Sequence, residues 1–125
     1  MARILVIDDD VDMRALLDEM LRTGGHEVVQ AGDGRDGVAK YRSARVDLVI
    51  TDLCMPNQEG LETIVELRRD FPGVAIIAMS GKTFARTMLS IAIRLGAVET
   101  LEKPFQPAEL LAAVARALNL ESRTA

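Results

Sequence analysis

Aromatic residues are nearly missing from this chain. Tryptophan is absent, and one tyrosine and three phenylalanines amount to 3% of the 125 residues. That leaves little to stack on a flavin ring and argues against a flavoprotein. A single cysteine, Cys54, excludes an internal disulfide and fits a reducing cytoplasm. The single histidine, His26, precedes an apolar run and is expected at the surface rather than as a metal ligand. No apolar run is long enough to cross a bilayer. The opening one, Ile4-Leu5-Val6-Ile7, meets three aspartates at once, which is no signal-peptide core. Arginines are scattered and the net charge is −4, so no direct grip on nucleic acid or on an anionic membrane is expected. The phosphate-loop pattern G-x-x-x-x-G-K-[ST] is missing, and Gly32-Asp33-Gly34 alone is a weak substitute. Repeats, low-complexity tracts and Pro/Ser-rich linkers are also lacking, so residues 1–125 are expected to form one domain with no second domain appended.

What is present is enough apolar material for a core, 49% of the chain against 27% charged. Short β-rich runs alternate with longer amphipathic ones, the pattern of βαβ units and a parallel sheet. Strands are expected at about Arg3–Ile7, Glu27–Ala31, Val46–Thr51, Val74–Met79 and Val98–Leu101. The first helix carries Met13, Leu16, Leu17, Met20 and Leu21 on one face and stops at Gly24-Gly25. A weaker second helix starts at the N-cap Asp33 and holds Gly37 in its interior. The third, about 58–70, presents Leu61, Ile64, Val65 and Leu67 and is broken by Pro72-Gly73. The fourth, about 83–95, carries Phe84, Met88, Leu89, Ala92 and Leu95, with Gly96 as its cap. The fifth opens with Pro107 and shows Leu110, Leu111, Val114 and Leu118.

Four of the apolar runs end in chemistry. The first stops at Asp8-Asp9-Asp10, the third at Asp52, the fourth at Ser80-Gly81, and the fifth runs through Glu102 into Lys103-Pro104. Parallel strands would bring these endings to one sheet edge, where open α/β sheets bind ligands. Asp52 is the most informative, since a carboxylate is costly to bury and adds nothing to a strand. Asp8, Asp9 and Asp52 set against Lys103 leave a net negative cluster that asks for a divalent cation. Hard oxygen ligands suit Mg²⁺, which keeps several waters and shares its coordination with phosphate. Without a cation, close carboxylates repel one another and some take up protons. One aspartate can then serve as a nucleophile and form an acyl phosphate.

Singly, these residues have plainer explanations. Asp10 and Asp12 fit helix caps, Asp52 and Ser80 fit turns, and Lys103 fits a solvated lysine. Cys54 fits a packed or loop thiol, and the methionines fit gap-fillers. Their joint placement at the ends of different strands favours a site.

The stretches Ile4-Leu5-Val6-Ile7-Asp8-Asp9-Asp10, Asp47-Leu48-Val49-Ile50-Thr51-Asp52-Leu53-Cys54-Met55-Pro56 with Gly60, Met79-Ser80-Gly81, and Leu101-Glu102-Lys103-Pro104-Phe105 follow one another in a recognisable order. In this the chain resembles, along nearly its whole length, the receiver domains of two-component response regulators of the chemotaxis-protein type. The resemblance implies an α/β, flavodoxin-like three-layer sandwich, with a five-stranded parallel sheet of order 2-1-3-4-5 flanked by five helices. It implies that Asp52 is the phospho-acceptor. Asp9 and Asp52 would hold Mg²⁺ directly with the Cys54 backbone carbonyl, and Asp8 largely through water. Ser80 would hydrogen-bond the phosphoryl group, Lys103 would pair with it, and the Lys103–Pro104 bond would be cis. The donor would be a histidine kinase or a histidine phosphotransfer protein. Phosphorylation would switch the face of the fourth helix, fifth strand and fifth helix toward a downstream protein target, in a monomer or a phosphorylation-dependent dimer. Such a module catalyses only its own phosphorylation and dephosphorylation, and it would carry no output domain here. One position departs from the family pattern: many receivers have Tyr or Phe three residues before the lysine, and here that residue is Thr100. Cys54 and Lys82 stand where receivers flank the path of the hydrolytic water, and neither orients water well, so slow self-dephosphorylation is expected.

The competing expectation is a haloacid-dehalogenase-type phosphatase using Asp8, which Asp8-x-Asp10, Ser80 and a later lysine resemble. That family expects a further acidic pair after the lysine, where helix five and its tail offer only Glu109 and Glu121, and it leaves Asp52 unexplained.

Overall fold

Strands and helices alternate without exception along the computed structural model, which describes residues 2–54, 59–81 and 85–124. The order is β1 (Arg3–Ile7), α1 (Val11–Thr23), β2 (Glu27–Ala31), α2 (Gly34–Ser43), β3 (Leu48–Asp52), α3 (Glu59–Asp70), β4 (Ile76–Ser80), α4 (Ala85–Leu95), β5 (Glu99–Glu102) and α5 (Pro107–Thr124). The five strands pair in parallel in the order β2-β1-β3-β4-β5. The expected strand order holds. Gln58, Lys82, Thr83 and Phe84, which figure in the sequence expectations, lie outside the described residues.

The pleat divides each strand between two cores. Leu5, Ile7, Val49, Ile76 and Ala78 face α2, α3 and α4, where they meet Val38, Tyr41, Ile64, Leu67, Leu89 and Ala92. Ile4, Val6, Leu48, Ile50, Ile77 and Met79 face α1 and α5, against Leu17, Leu21, Leu110, Ala113, Val114 and Ala117. Central strands covered on both faces read as continuous apolar runs, as they do here. Each fully buried Leu or Ile stabilises the fold by about 1.5–3 kcal/mol.

Local signals set the helix ends. Asp10 caps α1, accepting from the Asp12 and Met13 amides. Asp12 itself lies in the first turn, not at the cap. Asp33 caps α2 through the Asp36 amide at 2.7 Å, which accounts for Asp33 without any phosphate loop. Gly25 and Gly96, at φ +89° and +123°, end α1 and α4 in the left-handed region. The weakness of α2 has a purpose in packing. A Cβ at Gly37 would stand 2.7 Å from Ile7 Cγ1, so glycine lets this helix lie close against β1.

Several boundaries and faces differ from expectation. Strands β3, β4 and β5 begin one or two residues later than their apolar runs and end one residue later, so Asp52, Ser80 and Glu102 belong to the strands themselves. Leu16 and Val65, expected on core faces, are 44% exposed each. His26 is half buried, and its Nδ1 accepts from the Ala2 amide at 3.1 Å.

Candidate phosphoryl-acceptor and cation site

Sheet register delivers the site. Beyond β1, the Asp8 amide donates to Ala31 O at 3.1 Å, carrying the ladder one residue past the strand. At the end of β3, Asp52 stands opposite Met79, and the Leu53 amide donates to Met79 O at 2.8 Å. At the end of β4, Ser80 stands opposite Glu102, and the Lys103 amide donates to Ser80 O at 2.9 Å. Four chain segments therefore end side by side at one sheet edge, as parallel pairing requires.

Their side chains converge. One carboxylate oxygen each from Asp8, Asp9 and Asp52 can be chosen so that all lie within 4.8 Å of one another. Lys103 Nζ lies 3.2 Å from Asp8 Oδ2 and 3.3 Å from Asp52 Oδ1. Asp8, Asp52 and Ser80 are buried (0%, 3% and 0% exposed), while Asp9 faces solvent. An open cavity of about 390 Å³ has Asp8, Asp9, Asp52, Cys54, Gly81 and Lys103 in its wall. The lysine lies against Gly81, where a Cβ would come 2.8 Å from Lys103 Cβ. The Lys103–Pro104 bond is cis, as expected.

The electrostatics follow from crowding like charges in a dry place. Burial raises the Asp8 carboxyl above its ordinary value, and Asp52 adds to the rise. The Asp10 amide, at 2.9 Å from Asp8 Oδ1, and the Lys103 ammonium pull against it without prevailing. For Lys103, burial pulls the ammonium down, but Asp52 and Asp8 together outweigh it and leave the group above its ordinary value. Hard carboxylate oxygens with an excess of negative charge match what a divalent cation such as Mg²⁺ requires.

All six residues singled out for the site, Asp8, Asp9, Asp52, Cys54, Ser80 and Lys103, are brought to this edge. The Asp52 carboxylate accepts from the Cys54 amide at 3.1 Å, and Cys54 Sγ sits 3.2 Å from Ser80 Oγ. Two residues prominent in the phosphatase alternative are committed elsewhere. Asp10 caps α1, and Glu109 Oε1 accepts from the Gln106 amide at the start of α5. Sequence reasoning missed Arg14, which donates from α1 to the Asp8 carbonyl at 2.7 Å. No spacing announces it, because its partner is a main-chain oxygen.

The family model for the response regulator receiver domain matches residues 4–115. The chemotaxis protein CheY of Thermotoga maritima is 34% identical over 113 residues, which cover 90% of this chain and 93% of that protein. The DNA-binding transcriptional regulator NtrC of Azospirillum brasilense is 40% identical over 118 residues, 94% of this chain but only 24% of that protein. The structure of a response regulator receiver domain protein from Clostridium thermocellum superposes over 100% of both chains with a TM-score of 0.92 at 29% identity. Since a relative binds DNA as a longer protein, the expectation that nucleic acid is excluded as a partner finds no support in the family. Among the described residues, no helix is long and apolar enough to cross a membrane. With the family model covering nearly the whole chain and the acidic edge in place, the chain belongs to the response regulator receiver domains of two-component signalling systems.

Proposed function

We propose that residues 1–125 act as one receiver domain that takes a phosphoryl group onto Asp52 from a histidine kinase or a histidine phosphotransfer protein. The observation that carries this reading is the buried Asp52 carboxylate, 3.3 Å from Lys103 Nζ and clustered with Asp8 and Asp9. A carboxylate oxygen of Asp52 attacks phosphorus, the donor's P–N bond breaks, and an acyl phosphate forms as the imidazole leaves. Asp9, Asp52 and the Cys54 carbonyl would hold Mg²⁺, with Asp8 acting largely through water. When bound, the cation offsets the negative charge of the phosphoryl oxygens. Lys103, already between Asp8 and Asp52, pairs with one of those oxygens. Ser80 donates its hydroxyl to another, exchanging its contact with Cys54 for the new one. The donor set is assembled before the substrate arrives, so positioning and electrostatics supply most of the rate.

The phosphoryl group then biases the loop after β4 and the face of α4, β5 and α5 toward a protein target. In the test, the chain is incubated with Mg²⁺ and a small phosphoryl donor, and separately with a generic phosphomonoester. Stoichiometric acyl phosphorylation without phosphomonoester turnover supports this function. Steady turnover with no labelled protein would favour the phosphatase.

A further inference from the structure

The Asp8 carbonyl offers no carboxylate to the cluster, yet a side chain is dedicated to it. Arg14 Nη1 donates to it at 2.7 Å, and Arg14 Nε donates to Gln30 Oε1 on β2 at 3.2 Å. Gln30 Nε2 donates in turn to Asp18 Oδ2 at 2.7 Å, and Asp18 pairs with Arg22 one turn further along α1. Arg14 and Gln30 are both half buried. Space is left for them as well: a Cβ at Gly32 would stand 3.3 Å from Arg14 Nη1.

The Asp8 carbonyl and the Asp9 amide belong to one planar peptide unit. A hydrogen bond on that oxygen fixes the plane, and with it the position of the Asp9 Cα from which the side chain leaves the backbone. On its other side Asp8 is held by the hydrogen bond that its amide N–H donates to Ala31 O. Asp9 needs such support. It is the exposed member of the three carboxylates, and no hydrogen bond or ion pair among the described residues holds its side chain.

We propose that Arg14, oriented by Gln30 and Asp18, is a positioning residue for the cation site, clamping the Asp8–Asp9 peptide so that the Asp9 carboxylate stays with those of Asp8 and Asp52. This rests on the reading of the cluster as a Mg²⁺ site. Charge and positioning predict opposite signs for Arg14→Met. Removing a cation beside an acidic cluster would by Coulomb attraction alone tighten Mg²⁺ binding. Loss of outer support weakens it, by roughly tenfold. Gln30→Leu changes no charge and acts one bond further out, so a loss of about threefold is expected.

The experiment is calorimetric titration of the full chain and both variants with Mg²⁺, with the NMR order parameter of the Asp9 amide measured in metal-free protein. Weaker binding in both variants, with a lower Asp9 order parameter, is the expected result. Unchanged or tighter binding by folded Arg14→Met overturns the proposal. If Arg14→Met does not fold, Gln30→Leu decides, and unchanged affinity in it overturns the proposal. Wild-type protein that binds no Mg²⁺ would instead overturn the metal reading, while an unaltered Asp9 order parameter in the variants would still refute the clamp.

Discussion

Lys103 and Asp52 form an ion pair, Nζ to Oδ1 at 3.3 Å, although β5, which Lys103 directly follows, and β3, which Asp52 ends, are not neighbours in the sheet. The lysine reaches across the end of β4, where Ser80 sits, and touches Asp8 beyond β1's end as well. One cation therefore ties together two segments that would otherwise place like charges side by side.

Lys103→Met leaves Asp8 and Asp52 buried without their counter-charge. Metal-free protein should lose roughly 3 kcal/mol of stability, read from urea denaturation at neutral pH. Saturating Mg²⁺ should restore part of that loss, since the cation replaces the missing positive charge. Phosphorylation should slow by about a hundredfold or more, as expected when a charged donor to the transferred group is removed. Equal stability of the two metal-free proteins would refute the role of the pair.

Asp8 and Lys103 each tie stability to pH, over different ranges. The folded Asp8 carboxyl lies above its ordinary value of 3.8, chiefly through burial. Its contribution to stability is therefore fully present below 3.8 and is lost as pH rises through the raised folded value. Lys103 also lies above its ordinary 10.5, so its contribution persists below 10.5 and is lost only as pH rises through its own raised value. Relative to Asp8→Asn, metal-free wild type should lose stability as pH rises from acid toward neutral through the Asp8 titration. Mg²⁺ affinity should rise over the same window, with protons released on binding. Denaturation series with and without Mg²⁺ across this range check both statements.

Output should leave through the loop after β4 rather than through residue 100. Thr100 is half buried and too small to fill space vacated by Ser80, and β-branching restricts its rotamers. Arg86, Ser90 and Arg94 lie exposed on α4, ready to report a shift of that helix. NMR changes on phosphorylation should centre on residues 80–95. Ser80→Ala should abolish the phosphorylation-dependent gain in partner affinity, while Thr100→Ala leaves it nearly intact. Equal losses in the two variants would place the signal elsewhere.

The alternation of apolar runs and amphipathic segments made the βα series legible, and the polar endings marked the edge where the acidic cluster lies. Asp8, Asp52, Ser80 and Lys103 could be found because parallel strands must end together. What stayed hidden depended on main-chain partners or on helix orientation. His26 and Arg14 bind an amide and a carbonyl that any segment could supply. Leu16 flanks Leu17 on α1, and the helical period places both near the apolar stripe. Only the packing of α1 on the sheet buries Leu17 completely and leaves Leu16 at 44% exposure. Strand ends shifted because apolar runs mark burial rather than hydrogen bonding: Val46 packs on the core from outside β3.

The assignment of Asp52 as acceptor is tested most directly by mapping the phosphoryl group. Wild type and Asp52→Asn are incubated with Mg²⁺ and a phosphorylated histidine donor, then analysed by intact-mass spectrometry and peptide sequencing. One alkali-labile phosphoryl group on Asp52 of the wild type, and none on the folded Asp52→Asn protein, is the predicted result. Undiminished labelling of folded Asp52→Asn, or a wild-type label that maps to Asp8 or Asp9, would contradict it.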